Sequence, residues 1–590
     1  MTHSRVEITV YPEGRSFACS AGIRLHEALT NAGFSVPIPC GGNGTCRKCS
    51  LWLQSAAFLS KYNLAQLAAT SQAGLPFEPL LAELSFQETL ACQYTVDKSL
   101  VVWLPMSQRT NIAKILATHH QPEWLTNGDF PPTHQLIFGD IQVETAPYAV
   151  TVDIGTTTVV AELLRLQSDE HATRIKIGET KDDADFSATP WRSCGLCSCR
   201  NPQADFGDDV ISRIQYASES PQQSAKLREI IVDTINKLIA DLSRIAAITS
   251  DQISLIAIAG NTTMQQLFVG LDVTPLGHFP FVPAIKHYPV TRAADAGIAI
   301  RSDGRVVIFP VIGGFVGGDI TAGITATQLR SQTDLSLLID IGTNGEIVLW
   351  RPGGPLLAAA TAAGPAFEGA RIRHGMVAAP GAIEGVTFGD DLHIETIANV
   401  TPCGICGSGL IDLVAGLIQI GAIATSGKLS KEGLSPSVSD AIRDRMITVD
   451  GRSAFEIVPQ SQSATGSAIV LTQQDIRQVQ LAAGAIRAGV TLLLRKAECR
   501  PDELAMVFLA GGFGNYIRRE NAQIIGLLPP EVPLERIIFC GNTSLAGAKA
   551  VLLNADCYRE MQAVADVAEC LDLSSFPDFS TVFAESMLFP

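Results

Sequence analysis

Val152-Asp153-Ile154-Gly155-Thr156-Thr157-Thr158 recurs 187 residues later as Ile339-Asp340-Ile341-Gly342-Thr343-Asn344-Gly345. Each copy ends an apolar run of strand character and is followed by another, at residues 159–164 or 347–350. Asn344-Gly345 signals a tight hairpin turn. Such repetition predicts two related subdomains facing one cleft. The residue types suit phosphate. Glycine admits close backbone approach, threonine hydroxyls and amide N–H groups donate to phosphate oxygens, and a strand-end aspartate orients Mg2+ directly or through water. One copy alone is an ordinary turn; two in register argue for a nucleotide site. No Gly-x4-Gly-Lys-[Ser/Thr] P-loop occurs in the chain.

The surroundings extend that reading. Strand-like runs at 149–154, 253–259, 306–311, 335–341 and 506–510 alternate with helical patterns at 225–245 and 478–496, which implies a wound α/β sheet. After the last strand comes Leu509-Ala510-Gly511-Gly512-Phe513-Gly514-Asn515. Alone this is a tight strand-to-helix turn; beside two phosphate loops, Gly511, Gly512 and Phe513 read as a nucleoside site. Gly260-Asn261-Thr262-Thr263-Met264 either lines the same cleft or simply caps a helix through Asn261 or Thr262. Residues 313–319 either line it or serve strand-to-helix packing.

The first 105 residues differ in character. Residues 6–10 and 16–19 form a hairpin around Pro12-Glu13-Gly14, a helix near 25–32 stops at Gly33, and a strand at 100–104 closes the unit. Between them stands Cys40-x5-Cys46-x2-Cys49, with Cys92 43 residues further on. Three thiolates in one loop and one distant thiolate is how a [2Fe–2S] cluster is held. A zinc site is the alternative, but zinc ribbons usually present two Cys-x2-Cys pairs. The Pro-broken stretch 106–147 reads as a linker. The domains expected are thus 1–105, a linker 106–147, and two ATPase-like subdomains at 148–333 and 334–590.

Composition narrows the function classes. The net charge of −16 comes without a Lys/Arg block, which argues against nucleic acid and against an anionic membrane surface. No run of eighteen uninterrupted apolar residues exists, and 408–425, with Asp412 and Gln419, reads as a buried helix. The opening residues lack an apolar export segment. A cytoplasmic protein is expected, in which the 14 cysteines serve metal or redox chemistry rather than disulfides. The Gly-x-Gly-x-x-Gly turn of a flavin or nicotinamide reductase is missing.

The cysteine spacing and Leu90-Ala91-Cys92 resemble a ferredoxin of the adrenodoxin branch. The triplet at 153–158, 340–346 and 511–514 resembles the acetate/sugar kinase–Hsp70–actin superfamily. Asn201-Pro202-Gln203, Gly207-Asp208-Asp209-Val210-Ile211-Ser212-Arg213, Ala363-Gly364-Pro365-Ala366-Phe367-Glu368-Gly369 and Cys406-Gly407-Ser408-Gly409-Leu410-Ile411-Asp412 extend the likeness over nearly the whole chain. Together they resemble the reductive activators of corrinoid proteins, the RamA/RACo-like family.

That resemblance implies an α/β multidomain chain: a ferredoxin-like β-grasp domain joined to a duplicated actin/Hsp70-type ATPase fold with an interdomain nucleotide cleft. It implies ATP-dependent return of cobalt(II) to cobalt(I) in the corrinoid (cobalamin-binding) methyl carrier of a methyltransferase system, one electron at a time. A low-potential donor supplies the electron, and a homodimer is expected. Cys40, Cys46, Cys49 and Cys92 would hold the cluster. Gly155, Thr156, Thr157, Thr158, Gly342, Thr343 and Asn344 would hold phosphates. Asp153 and Asp340 would organise Mg2+ and the attacking water, with Glu346 either positioning water or capping the hairpin.

ATP has a physical reason to be there. The cobalt(II)/(I) couple is expected below the about −400 mV of a plant-type cluster, and each 100 mV uphill costs about 2.3 kcal/mol. Other functions compete: an ATP-driven electron donor to a radical dehydratase, a redox-sensing small-molecule kinase, and a nucleotide-dependent binding module. Cys194, Cys197 and Cys199, placed in a loop, are either a local peculiarity, a redox-sensitive patch or, with Cys403 and Cys406, a second metal site; Cys406 is otherwise explained as a small buried residue before Gly407-Ser408-Gly409.

Overall fold

The computed structural model describes residues 5–11, 15–32, 34, 36, 49–56, 86–104, 147–166, 191–511, 517–553 and 555–590. They form two compact units. One is drawn from Met1–Ala113, Asp205–Asp208 and Ala366–Val479, the other from Lys114–Ala204, Asp209–Pro365 and Gln480–Pro590. Residues 106–146 of the expected linker lie outside the described residues.

The amino-terminal sheet has strands β1 (Arg5–Tyr11), β2 (Arg15–Ser20), β3 (Ser50–Ser55), β4 (Gln87–Leu90) and β5 (Leu100–Trp103), in the order β2-β1-β5-β3-β4. β1 alternates, so Ile8 and Val10 are buried while Arg5 and Glu7 keep to the outer side. Helix α1 (Leu25–Asn31) places Leu25, Ala28 and Leu29, an i, i+3, i+4 stripe, into the same core. This is the β-grasp arrangement, with β1 and β5 paired in parallel.

The second unit begins with β6 (Tyr148–Ile154), β7 (Thr158–Leu166) and β8 (Trp191–Arg200), all antiparallel neighbours. Then come α2 (Val210–Glu219), α3 (Pro221–Ala246), β9 (Ile253–Gly260), α4 (Thr262–Val269), β10 (Thr291–Arg292), β11 (Arg305–Ile308) and α5 (Gly318–Ala326). The sheet order is β10-β11-β9-β6-β7-β8. β9 is buried at every residue, as a parallel strand covered on both faces requires. Cys194, Cys197 and Cys199 are therefore on edge strand β8, not in a loop. Nearly the whole of β8 pairs with β7, with a bulge at Leu163/Leu164.

β12 (Ser336–Ile341), β13 (Gly345–Trp350) and β14 (Leu356–Thr361) open the second sheet. The chain then enters the first unit through β15 (Ala382–Phe388), β16 (Leu392–Thr396), β17 (Gly404–Ile405), α6 (Gly407–Gln419), β18 (Met446–Val449), β19 (Arg452–Val458) and β20 (Ile469–Thr472). α6 is the expected buried helix. A side chain at Gly416 would run into the Phe388 ring, so glycine lets the helix lie flat on β15.

Helix α7 (Gln473–Lys496) returns the chain to β21 (Met506–Ala510), β22 (Ile537–Gly541), α8 (Thr543–Leu553), α9 (Ala555–Val567), β23 (Glu569–Leu571) and α10 (Phe579–Ser586). The second sheet reads β22-β21-β12-β13-β14-β23. Two parallel strands flank an antiparallel meander in both sheets, β11-β9-β6-β7-β8 and β22-β21-β12-β13-β14, so the sequence repeat is a structural duplication. α5 and α8 cross closely, where a Cβ at Gly547 would meet Ala322 Cα at 2.6 Å. Lys549 of α8 reaches Glu162 of β7 in a buried ion pair of 2.8 Å.

Candidate functional site

The two loops of the repeat meet. Gly155 N donates to Thr158 O (2.9 Å) in the first, and Gly342 N to Asn344 O (2.9 Å) in the second. Thr157 Oγ1 and Thr343 Oγ1 lie 3.0 Å apart, bridging the two halves. Ile341 pairs with Gly345, so the second turn is the three-residue Gly342-Thr343-Asn344 rather than a two-residue Asn-Gly turn. Gly345 is glycine for a different reason: a Cβ there would lie 2.7 Å from Ile486 Cγ1 of α7.

Carboxylates gather beside these loops. Asp153 is near the end of β6 and Asp340 near the end of β12, directly across from Glu346 of β13. Asp319 is in the first turn of α5. Gly511 closes the group, since a Cβ on it would sit 2.8 Å from Asp340 Oδ1. Glu346 is buried, and the three aspartates are half-buried.

That environment disfavours charge. Burial pushes Asp153 up to about 6, against a hydrogen bond from Asn542 that favours the ionised form. Burial, then repulsion from Asp153, pushes Asp340 up to about 7. Asp319 and Glu346 are raised well above the carboxylate range, by burial first and then by their acidic neighbours. Among the described residues no three His, Cys, Asp or Glu side chains converge tightly enough to hold a bare metal ion. A cation that keeps part of its water shell, as Mg2+ does, suits this looser acidic spacing.

In the first unit, Cys49 Sγ and Cys92 Sγ are buried and 3.2 Å apart, and neither is in a disulfide. Ala91 N donates to Cys49 O (3.0 Å), which fixes the second segment against the first. Gln93 Nε2 points at Cys92 Sγ from 3.6 Å. Two thiols far apart in sequence and adjacent in space are a donor pair suited to iron. Cys40, Cys46, Gly512 and Phe513 lie outside the described residues.

Comparison with known proteins adds the family. Residues 191–332 match the description "RACo middle region", and residues 334–590 match "C-terminal domain of RACo the ASKHA domain". The chain is 30% identical to the corrinoid activation enzyme RamQ of Eubacterium limosum, over 96% of this chain and 96% of that one. The chain belongs to the reductive activators of corrinoid proteins. It is also 26% identical to the [Co(II) methylated amine-specific corrinoid protein] reductase of Methanosarcina barkeri, over 69% of this chain and 70% of that one. A solved "Reductive activator for corrinoid,iron-sulfur protein" matches 99% of this chain and 98% of its own at 28% identity, with a TM-score of 0.67.

In this reductive activator several residues without an assigned role brace the loops. Asn201 Nδ2 donates to Gly155 O (2.9 Å) and Asn201 N to Thr157 O (2.8 Å). The fully buried Arg213 donates to Thr156 O. Asn261 does both things expected of it: its Oδ1 caps α4 through Met264 N (3.0 Å), and its Nδ2 reaches Thr156 Oγ1 (2.9 Å). Asn542 is the same device in the other half, taking Leu545 N on Oδ1 and giving Nδ2 to Asp153 Oδ2, each at 2.9 Å. A signal for it existed: Gly541-Asn542-Thr543-Ser544 repeats Gly260-Asn261-Thr262-Thr263. Cys540 lies beside Asp340, and burial, then that carboxylate, pushes its thiol up to about 12.

Proposed function

We propose that this chain reactivates a corrinoid methyl carrier, passing one electron from a [2Fe–2S] cluster to cobalt(II) so that cobalt(I) is restored, with ATP hydrolysis driving the transfer. Family membership supports the reaction. The observation that carries the reading is one chain having both a buried Cys49–Cys92 pair and a duplicated acidic cleft.

The cluster, when bound, supplies a one-electron reservoir of low potential. Cys49 and Cys92 hold it together with Cys40 and Cys46, and Gln93 donates toward a ligand sulfur, which favours the more negative state. In the cleft, Thr156, Thr157, Thr158, Thr343, Asn344 and the glycine amides of both loops take the phosphates. Asp153, Asp319 and Asp340 organise the hydrated Mg2+. Glu346, across the strand pair from Asp340, orients the attacking water. Gly511, with Gly512 and Phe513, takes the nucleoside. Hydrolysis can drive electron transfer only if the carrier binds the nucleotide states unequally.

The test is anaerobic incubation of a cobalt(II) carrier with a low-potential reductant and a catalytic amount of this protein. Loss of the cobalt(II) band only with MgATP, and not with Cys92→Ser, is expected. ATP hydrolysis by a cluster-loaded protein while every carrier tried stays oxidised would move the electron to another acceptor.

A further inference from the structure

Asn201-Pro202-Gln203 and residues 207–213, both distinctive in sequence, contain none of the carboxylates or loop residues of the nucleotide site. Their buried side chains gather at its first loop instead. Ser212 N donates to Asp209 Oδ1 (2.8 Å) and Asp209 N to Ser212 Oγ (3.1 Å), a capping box that fixes where α2 begins. The inward stripe of the helix is then Val210, Arg213, Ile214 and Ala217. Helical periodicity asks for an apolar residue at each of those positions. Arg213 is nevertheless fully buried there, and a guanidinium costs desolvation that an apolar side chain would not.

Its donors account for it. Nη2 donates to Thr156 O, while Nη1 points to Met264 Sδ (3.1 Å) and Gln203 Oε1 (3.4 Å). Gln203 Oε1 also accepts from Asn201 Nδ2 (3.3 Å), so Asn201 and Arg213 stand side by side. Gln203 Nε2 ties the group to α3 at Leu227 O (2.9 Å). Asn201, Gln203, Arg213 and Met264 are all fully buried, so the knot is part of the interior.

With the two bonds from Asn201, three successive carbonyls, Gly155 O, Thr156 O and Thr157 O, each accept from this knot. A trans peptide points its N–H opposite to its C=O. Holding the carbonyls of Gly155 and Thr156 therefore aims the amides of Thr156 and Thr157 away from the knot. The Thr156 hydroxyl is held as well, by Asn261 Nδ2 (2.9 Å). Successive amides turned in a set direction are what a phosphate needs from a backbone.

We propose that Arg213 is a positioning residue for the nucleotide: by fixing the Thr156–Thr157 peptide, it sets the direction in which the first loop presents its amides to the polyphosphate of ATP. This deepens the nucleotide reading above and rests on it. Arg213 acts through the Thr156 backbone rather than on a phosphate directly, so its forked geometry matters beyond its charge.

The experiment measures the MgATP dissociation constant by calorimetry, and kcat for ATP hydrolysis, with the cluster-loaded full chain. Arg213→Met should weaken MgATP binding about tenfold and lower kcat about ten- to a hundredfold, because a displaced loop also loses alignment in the transition state. Arg213→Lys keeps a donor without the fork and should fall between. Ile231→Ala, fully buried in α3, is the comparison for plain destabilisation. It should melt at least as early as Arg213→Lys with MgATP binding and kcat unchanged. Should Arg213→Met fail to fold, Arg213→Lys decides: binding and kcat within twofold of the unaltered protein overturn the assignment. An equal loss of binding in Ile231→Ala at an equal fall in melting point overturns it too. If the unaltered protein binds no MgATP, the nucleotide reading itself falls and this role with it.

Discussion

Four acids with little charge compensation define the site, and their proton affinities dictate its pH behaviour. Asp153 and Asp340 keep protons in the folded chain up to about pH 6 and 7, but release them near pH 3.9 when unfolded. The folded state binds more protons in that window, so the site's contribution to stability falls as pH rises from about 4 to 7 and is constant above. Asp340→Asn should accordingly raise the melting midpoint at pH 8 by about 2–4 °C, less at pH 5, and cut ATP hydrolysis by about a hundredfold or more. Melting at the two pH values checks the first half; no pH dependence of the gain would contradict the account. Asn542→Ala removes a helix cap and the hydrogen bond holding Asp153 ionised. About 1 kcal/mol of stability should be lost, and the acidic limb of the ATPase pH profile should move upward.

Helices α5 and α8 connect the two halves of the cleft, and their packing has no room. Gly547→Ala puts a methyl group against the Ala322 backbone, which should destabilise by about 1–3 kcal/mol in a denaturant titration. The Lys549–Glu162 pair is buried on both sides. Lys549→Met should cost about 3–5 kcal/mol by stranding the carboxylate, and Glu162→Gln added to it should recover much of that. Elements of this kind were only partly legible. The strand ends bearing Asp153 and Asp340 stand out because chemistry and repetition coincide there, and the long α3 and α7 follow from their apolar period. Asn201, Arg213 and Asn542 do not stand out. Their partners are backbone atoms or carboxylates brought near by folding, and one polar residue after a strand looks like any cap. Edge strand β8 escaped because Cys, Ser and Gly give weak strand preference, and its pairing with β7 supplies the rest.

On the scale of the molecule, Cys49 and Cys92, proposed to hold the cluster, fall in one compact unit, and Asp153, Asp319, Asp340 and Glu346, proposed for the nucleotide, in the other. Cys92→Ser should remove the visible cluster absorbance and most of the two irons per chain expected for a [2Fe–2S] centre. It should leave MgATP binding measurable and abolish cobalt reduction; retained reduction would assign the electron path elsewhere. The threading of the chain has a further consequence, for manufacture rather than activity. β12 carries the buried Leu337, Leu338, Ile339 and Ile341, and one of its edges is completed only by β21, which begins at Met506. Between them the ribosome must make the whole insertion into the first unit. At about 5–20 residues per second, an apolar strand edge waits on the order of ten to thirty seconds for its neighbour. Unpaired edges of that kind invite the wrong partner. Slower initiation or a cooler culture, which spaces nascent chains apart, should therefore raise the yield of soluble protein more than any change to the finished surface.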